Sequence, residues 1–108
     1  MRVIFRPDFP KDVRRFELDY AQISDGLAAR FPIEGDDAVG MIKSAPFRAG
    51  HYLNLSSKIV RGLRRRNLHA FPFFLLYGAD SERVIFGAVI PSRSDPLTWL
   101  TRFEEPRA

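Results

Sequence analysis

The side chains best suited to chemistry form a basic cluster in the middle of the chain, made of Arg61, Arg64, Arg65 and Arg66. Guanidinium groups hold phosphates in bidentate pairs and stabilise the negative charge that develops on a phosphate in its transition state. Residues of a strand alternate between its two faces, so Arg61 and Arg65 should share one face and Arg64 and Arg66 the other. The cluster predicts either a phosphate-binding strand on which two arginines converge, or an edge strand that charge protects against aggregation.

Few other residues qualify as catalytic groups. His51 and His69 are the only histidines, and neither has a partner for general-base chemistry at a recognisable spacing, so we expect both on the surface. Tyr77 falls within an apolar run and is predicted to be a core residue. The chain has no cysteine, no zinc-ligand spacing and no glycine-rich nucleotide motif, so we expect neither a metal nor another cofactor.

Length and composition indicate one globular domain over residues 1–108, with 45% hydrophobic and 13% aromatic residues. The N-terminus lacks the apolar core of a signal peptide, and no apolar run approaches the length of a membrane span. We therefore expect a soluble cytoplasmic protein that does not contact a membrane. The net charge of +4 and the pI near 10.0 favour an acidic partner, either nucleic acid or an acidic protein segment.

Two short apolar runs, residues 71–77 and 84–90, are predicted to be the strands that position these side chains. The polar connector 78–83 is short enough only to reverse the chain, so the runs should pair as an antiparallel hairpin. Both runs are apolar on both faces, which predicts a central place in a sheet. Residues 2–6 should form an edge strand that ends before Pro7, and residues 59–66 a strand with a basic end.

Residues 8–27 show a helical repeat of apolar residues, with Asp8 as the predicted N-cap. The predicted core stripe is Val13, Phe16, Tyr20, Ile23 and Leu27. The predicted solvent face is Lys11, Asp12, Arg14, Arg15, Glu17 and Asp19.

A second helix should follow over residues 27–44, capped by Ser24, with a kink or a late start at Pro32 and Gly35. Residues 47–57 show no period and are predicted to be a loop, and residues around Leu97 and Leu100 a short terminal helix. The predicted fold class is α+β: an N-terminal strand, a helical hairpin, a three-stranded antiparallel meander that completes one twisted sheet, and a short C-terminal helix.

Three motifs carry a resemblance to a known family: YAQISDGLAARF at residues 20–31, FPFFLLY at 71–77 and VIPSRSDPLTW at 89–99. With them the chain resembles the RelE/ParE superfamily of type II toxin–antitoxin toxins over residues 2–102. The resemblance implies a small microbial toxin that inhibits growth, serves in plasmid stabilisation and is neutralised by a cognate antitoxin. Some members of the family cleave messenger RNA in the ribosomal A site, whereas the ParE-like branch inhibits DNA gyrase.

Trp99 favours the ParE-like branch within this resemblance. Arg93 matches the arginine of the nuclease members, which carry a tyrosine six residues later, where this chain has Trp99. An indole transfers no proton near neutral pH, so Trp99 can stack on a base or anchor the terminal helix but cannot act as an acid or a base.

The resemblance therefore implies a non-enzymatic inhibitor whose target-binding residues are Arg64, Arg66, Arg93 and Trp99. The alternatives are a metal-independent endoribonuclease that uses Arg61, Arg65 and Arg93, and a weakly toxic module that only binds an antitoxin.

The expected partner is an antitoxin, which should contact exposed members of the apolar stripe together with flanking aromatic residues. The predicted antitoxin-binding residues are Phe9, Phe16, Tyr20 and Phe47. A basic toxin suits an acidic antitoxin segment, and we expect this protein to reach DNA only through the antitoxin.

Overall fold

The structure is a computed structural model that describes residues 1–53 and 62–94. Its elements are β1 (Arg2–Phe5), α1 (Asp8–Ala21), α2 (Asp25–Ser44), β2 (His51–Tyr52), β3 (Leu63–Asn67), β4 (Phe73–Ala79) and β5 (Arg83–Pro91). The five strands form one sheet in the order β1-β5-β4-β3-β2, with β1 parallel to β5 and the other neighbours antiparallel. The predicted α+β class is confirmed. The predicted C-terminal helix lies outside the described residues.

The β4–β5 hairpin is central, as its two-sided apolar pattern predicts. Every residue of β4 is buried, and so is β5 from Val84 to Ile90. On one face Phe73, Leu75 and Tyr77 pack with residues of the two helices, while Phe74 and Leu76 belong to a second apolar cluster on the opposite face. Neither helix of the described part of the chain has a stretch long and apolar enough to cross a bilayer.

A single carboxylate organises the turn of this hairpin. Asp80 Oδ1 accepts hydrogen bonds from the backbone N–H groups of Glu82 and Arg83, each at 2.9 Å. Asp80 Oδ2 accepts a third bond from Arg83 Nε at 3.1 Å. The bond from the Glu82 N–H is the largest influence that lowers the pKa of Asp80, followed by the bond from the Arg83 side chain. The connector thus closes the hairpin with its own polar groups.

Two predictions about the strands need correction. The strand predicted over residues 59–66 is observed as Leu63–Asn67, with Gly62 outside it and residues 59–61 beyond the described part. The predicted loop 47–57 contains β2, where His51 pairs with Arg65 and Tyr52 with Arg64. A two-residue strand is too short to show an alternating pattern in the sequence, so β2 forms only because β3 lies beside it.

The helix predictions also need correction. Ile23 is 75% exposed because α1 ends at Ala21 and the chain turns before α2. Asp8 is the first helical residue, and the N-cap is Pro7, which has no side-chain bond. The apolar repeat predicted for one helix extends past the turn between α1 and α2 only because Leu27, a residue of α2, also packs on the core.

The second helix begins at Asp25, and the predicted cap is confirmed, since the Ser24 hydroxyl accepts a hydrogen bond from the Leu27 N–H at 3.3 Å. Pro32 neither delays the start nor breaks the helix, which is continuous to Ser44. A proline inside a helix costs about 3 kcal/mol. The buried stripe of Phe31, Ala38 and Ile42 offsets that cost by packing α2 against the sheet.

Asp12 was predicted to lie on the solvent face of α1, and this prediction is wrong. The residue is 5% exposed, and its Oδ2 accepts a hydrogen bond from the backbone N–H of Val89 at 3.0 Å. β1 accompanies β5 only as far as Phe86, so the N–H of Val89 on that side has no strand partner. The next residue whose N–H would face the same way is Pro91, which has none. Asp12 therefore completes the edge of β5 beyond the end of β1.

We expect Asp12→Ala to lower the free energy of unfolding by about 1–3 kcal/mol, because it leaves the buried Val89 N–H without an acceptor. Asp12→Asn keeps an amide oxygen at the same place and should lose less. Urea unfolding at neutral pH measures both, with Asp19→Ala on the exposed side of α1 as the matched control. Equal losses from Asp12→Ala and Asp19→Ala would contradict this role.

Candidate functional site

The arginines of β3 divide between the two faces of the sheet, as alternation predicts. Arg64 is paired with Tyr77 and Arg66 with Leu75, and both are on the helix side. Arg65 lies on the opposite side, with its guanidinium carbon 3.9 Å from the centroid of the Phe74 ring. Arg61 lies outside the described residues. The basic cluster therefore forms no single array of cations.

Arg64 and Arg66 bind the loop that joins α2 to β2, residues 45–50, which we call the α2–β2 loop. Arg64 Nη1 donates to the carbonyl oxygens of Phe47 at 3.1 Å and Gly50 at 3.4 Å. Arg66 Nη1 donates to the carbonyl oxygen of Ala49 at 2.6 Å. These two arginines, predicted to bind the cellular target, thus satisfy carbonyl groups of their own chain.

Tyr77 completes this set of donors from within the core. Its side chain is fully buried, and its hydroxyl donates to the Pro46 carbonyl at 2.7 Å. Burial raises the pKa of Tyr77, while the nearby charges of Arg64 and Arg66 act in the opposite direction. An ordinary phenol is already protonated at neutral pH, and a raised pKa does not change that, so the hydroxyl can donate.

Position 50, where the α2–β2 loop meets Tyr77, has room only for a glycine. A Cβ atom at this position would lie 2.6 Å from the Tyr77 hydroxyl and 2.8 Å from the carbonyl oxygen of Arg65. Both distances are shorter than van der Waals contact, and one of the two atoms belongs to the backbone. The close approach of loop and sheet therefore requires glycine.

We expect Gly50→Ala to destabilise the protein by about 1–3 kcal/mol, because the added methyl group forces the loop away from Tyr77 and β3. Gly40→Ala is the matched control: nothing lies within 4 Å of its added Cβ in the middle of α2. That change should stabilise the helix by about 0.5–1 kcal/mol. Thermal or urea unfolding measures both, and a neutral Gly50→Ala would contradict the close approach.

Arg65 anchors a second polar group on the face opposite the helices. Its Nε and Nη2 donate to Asn67 Oδ1 at 3.1 and 2.7 Å, and burial lowers the pKa of the guanidinium. His51 is paired directly with Arg65 across β2 and β3, so the two side chains share this face. Asn67, Phe74 and Ile90 are direct cross-strand partners on β3, β4 and β5. Arg93 is exposed in the turn three residues after Ile90. Trp99 lies outside the described residues.

His69 is exposed and serves through its backbone. The N–H groups of His69 and Ala70 both donate to Glu34 Oε1, at 2.6 and 2.7 Å, and so tie the β3–β4 connection to α2. Within residues 1–53 and 62–94 no group of three or more potential metal ligands comes together. The pattern of polar residues along the sequence gave no signal for this role of Glu34.

An open groove of about 580 Å³ runs along α1 from the end of β1 as far as Leu18, with one lining residue from α2. Its apolar lining residues are Phe5, Phe9, Pro10, Val13 and Leu18, and its charged lining residues are Arg14, Glu17 and Asp36. Leu18 is 57% exposed although it is a large apolar residue on α1. We call this surface the β1–α1 groove.

The backbone of β1 borders the groove with unused hydrogen-bonding groups. The N–H groups of Arg2 and Arg6 donate to the carbonyl oxygens of Glu82 and Phe86, at 2.9 and 2.8 Å. By alternation, the N–H and C=O groups of Val3 and Phe5 point away from β5, toward the outer edge of the sheet. No strand of the described residues pairs with that edge.

The structure distributes the four residues predicted to bind an antitoxin over three places. Phe9 lines the β1–α1 groove, although most of its ring is buried. Phe16 and Tyr20 are half-buried and pack on Phe73 and Phe71, with ring centroids 4.5 and 5.0 Å apart. Phe47 lies beside Arg64 in the α2–β2 loop. Sequence patterning missed Phe5 and Leu18 because neither belongs to the apolar stripe of α1.

The described residues define a class of fold: a helical hairpin packed on one face of a mixed sheet whose parallel edge strand comes first in the chain. This fold is similar to that of a chain in the chromosomal ParDE TA system from P. aeruginosa, with a TM-score of 0.60 and 13% sequence identity. The match covers 84% of this chain and 95% of the other. The fold implied by the RelE/ParE resemblance is thereby confirmed. No protein-family model and no curated protein sequence matches the chain.

Proposed function

We propose that this protein is the toxin of a type II toxin–antitoxin system and that a cognate antitoxin neutralises it. The observation that carries the proposal is the shared fold with a chain of the ParDE system, together with the motifs at residues 20–31, 71–77 and 89–99. At 13% sequence identity the match supports a shared fold and nothing more. Support for the function must therefore come from the surfaces of this chain.

The β1–α1 groove is the surface that fits the antitoxin best. An extended segment could pair with the free N–H and C=O groups of Val3 and Phe5 and place apolar side chains beside Leu18. The charges along the groove are mixed, since Arg14, Glu17 and Asp36 all line it. Apolar contact and strand pairing, more than net charge, would therefore supply the affinity. We therefore propose that the antitoxin binds around Phe9, and not at Phe16, Tyr20 or Phe47.

We expect Leu18→Arg to weaken neutralisation, since it puts a charge into the apolar part of the groove. The measurement is growth of cells that express the variant together with the co-encoded antitoxin, with binding of the purified pair as a second readout. Truncating an interface anchor commonly costs about 2 kcal/mol or more, which is about a 30-fold loss of affinity. Ile33→Arg, an equally exposed apolar position on α2 outside the groove, is the matched control. Full neutralisation of Leu18→Arg would place the antitoxin elsewhere.

The proposed target is DNA gyrase, and the proposed mechanism is non-enzymatic. Trp99 replaces the tyrosine that the nuclease members carry, and an indole cannot move a proton at neutral pH. Arg64 and Arg66, which were predicted to bind the target, donate to carbonyl groups of the α2–β2 loop and are used within the chain itself. Arg93 is exposed and remains a candidate contact to the target.

A second candidate function, ribosome-dependent cleavage of messenger RNA, is favoured by one observation. His51 and Arg65 share the face opposite the helices, and a base beside a guanidinium is a combination that phosphate chemistry can use. Arg61 and Arg93 would be the further cations of such a site. A weakly toxic module that binds only an antitoxin is the third reading.

Expression without the antitoxin, followed in one culture, separates the three functions. We expect filamentous cells with a DNA-damage response while protein synthesis continues, and inhibition of supercoiling by the purified protein acting on gyrase. Arrest of translation with cleaved messages, reduced about tenfold or more by Arg65→Ala, would replace this mechanism by the nuclease. Harmless expression would leave only antitoxin binding.

A further inference from the structure

The charges of this chain are divided along the sequence. Residues 38–79 contain seven Lys and Arg and no Asp or Glu, whereas the rest of the chain has ten basic and 13 acidic residues. The acid-free segment supplies the last third of α2, the α2–β2 loop, β2, β3 and β4. Among the described residues of this segment, Arg48, Arg64, Arg65 and Arg66 lie in the α2–β2 loop and β3, next to the β2 edge of the sheet, whereas Lys43 lies beside Phe5 of β1. The residues of β1 and α1 themselves carry mixed charge.

Exposed aromatic rings lie in the same part of the fold. Phe47 and Tyr52 are 50% and 58% exposed. The guanidinium carbon of Arg64 lies 5.4 Å from the centroid of the Phe47 ring and 5.5 Å from that of Tyr52. Arg48, next to Phe47, is exposed. We call these four residues the aromatic–arginine patch.

The patch is held in place before any ligand binds. Arg64 is fixed by its bonds to the carbonyl groups of Phe47 and Gly50, and the loop that carries Phe47 is held further by Arg66 and Tyr77. Tyr52 is paired with Arg64 across β2 and β3. Rings that are already ordered lose little conformational entropy when a ligand stacks on them. Arg64 therefore acts as a support for the two rings, while Arg48 is placed to meet an anion.

We propose that the aromatic–arginine patch binds single-stranded nucleic acid. Unpaired bases stack on exposed aromatic rings, and basic side chains between them neutralise the backbone phosphates. In a duplex the bases are already stacked on one another, so the rings of Phe47 and Tyr52 would find no partner. This contact would belong to the chain itself and would need neither an antitoxin nor the proposed gyrase target. It departs from the expectation that the chain reaches DNA only through an antitoxin.

The test is fluorescence anisotropy of the full chain, free of antitoxin, with labelled oligonucleotides of about 12 nucleotides, a length within the usual site sizes. Single-stranded RNA, single-stranded DNA and duplex DNA of one sequence are titrated over a series of salt concentrations. We expect salt-dependent binding of the single strands and weaker binding of the duplex. The RNA and DNA arms show which sugar the patch accepts, and either one supports the proposal.

The variants assign the contact to named residues. Phe47→Ala and Tyr52→Ala should each weaken single-strand binding by about five- to 150-fold, the range found for loss of one stacked base, whereas Tyr52→Phe should bind as the wild type does. Arg48→Ala should reduce the slope of log affinity against log salt by about 0.7. Arg30→Ala, which removes an exposed positive charge outside the acid-free segment, is the matched control and should leave the affinity nearly unchanged.

Three results would overturn the proposal: no binding of single strands at low salt, equal affinity for duplex and single strands, or unchanged affinity of Phe47→Ala and Tyr52→Ala. Urea unfolding of each variant guards against a loss of fold, and Tyr52→Phe supplies a second guard because it retains the ring. A chain that leaves gyrase untouched could still bind the oligonucleotides. The failure of the proposed function and the failure of this inference are therefore distinguishable.

Discussion

Burial of the β4–β5 hairpin on both faces is the constraint on which the other elements depend. Once both faces are apolar, the strands cannot lie at an edge, and β1 and β3 must cover their backbone groups on either side. Beyond the ends of those neighbouring strands, side chains form the hydrogen bonds to the backbone. Asp12 accepts the N–H of Val89 beyond β1, because an unpaired backbone group in the interior costs as much as a lost hydrogen bond.

The same need explains where the charge of β3 is used. On the helix side, Arg64, Arg66 and the hydroxyl of Tyr77 turn toward the carbonyl groups of the α2–β2 loop, a segment without regular partners of its own. Charged donors make stronger hydrogen bonds than neutral ones, so a few of them can hold an irregular loop against a sheet. Arg64 and Arg66, which the sequence suggested as binding residues, therefore hold the α2–β2 loop in place. The groups left exposed for binding are side chains that this loop and β2 carry.

The two edges of the sheet differ in chemistry. At β1 an apolar groove with mixed charge borders unused strand groups, which suits a polypeptide partner. At β2 the chain presents ordered aromatic rings from a stretch of sequence that has basic but no acidic residues, which suits a polyanion. Because β5, β4 and β3 separate these edges, occupation of one surface does not sterically require release of the other. The chain could therefore hold the proposed antitoxin and the proposed nucleic acid at the same time.

The sequence by itself determined the types and order of the main elements, the central place of the hairpin and the faces of Arg64, Arg65 and Arg66. These features follow from local periodicity, which the chain carries in every short window. Serine as the cap of α2 was equally local, since the bond spans only three residues. The motifs added a family resemblance, and with it the fold that the ParDE comparison supports.

Only the tertiary structure decided the remaining features. The burial of Asp12 depends on Val89, 77 residues away, and the requirement for Gly50 depends on Tyr77 and Arg65. The exposure of Ile23 depends on where α1 ends, and β2 exists only because β3 lies beside it. In each case the determining partner is distant in the chain. A local sequence pattern indicates the conformation and polarity that a residue favours. It does not indicate which backbone group, distant in the chain, that residue will contact.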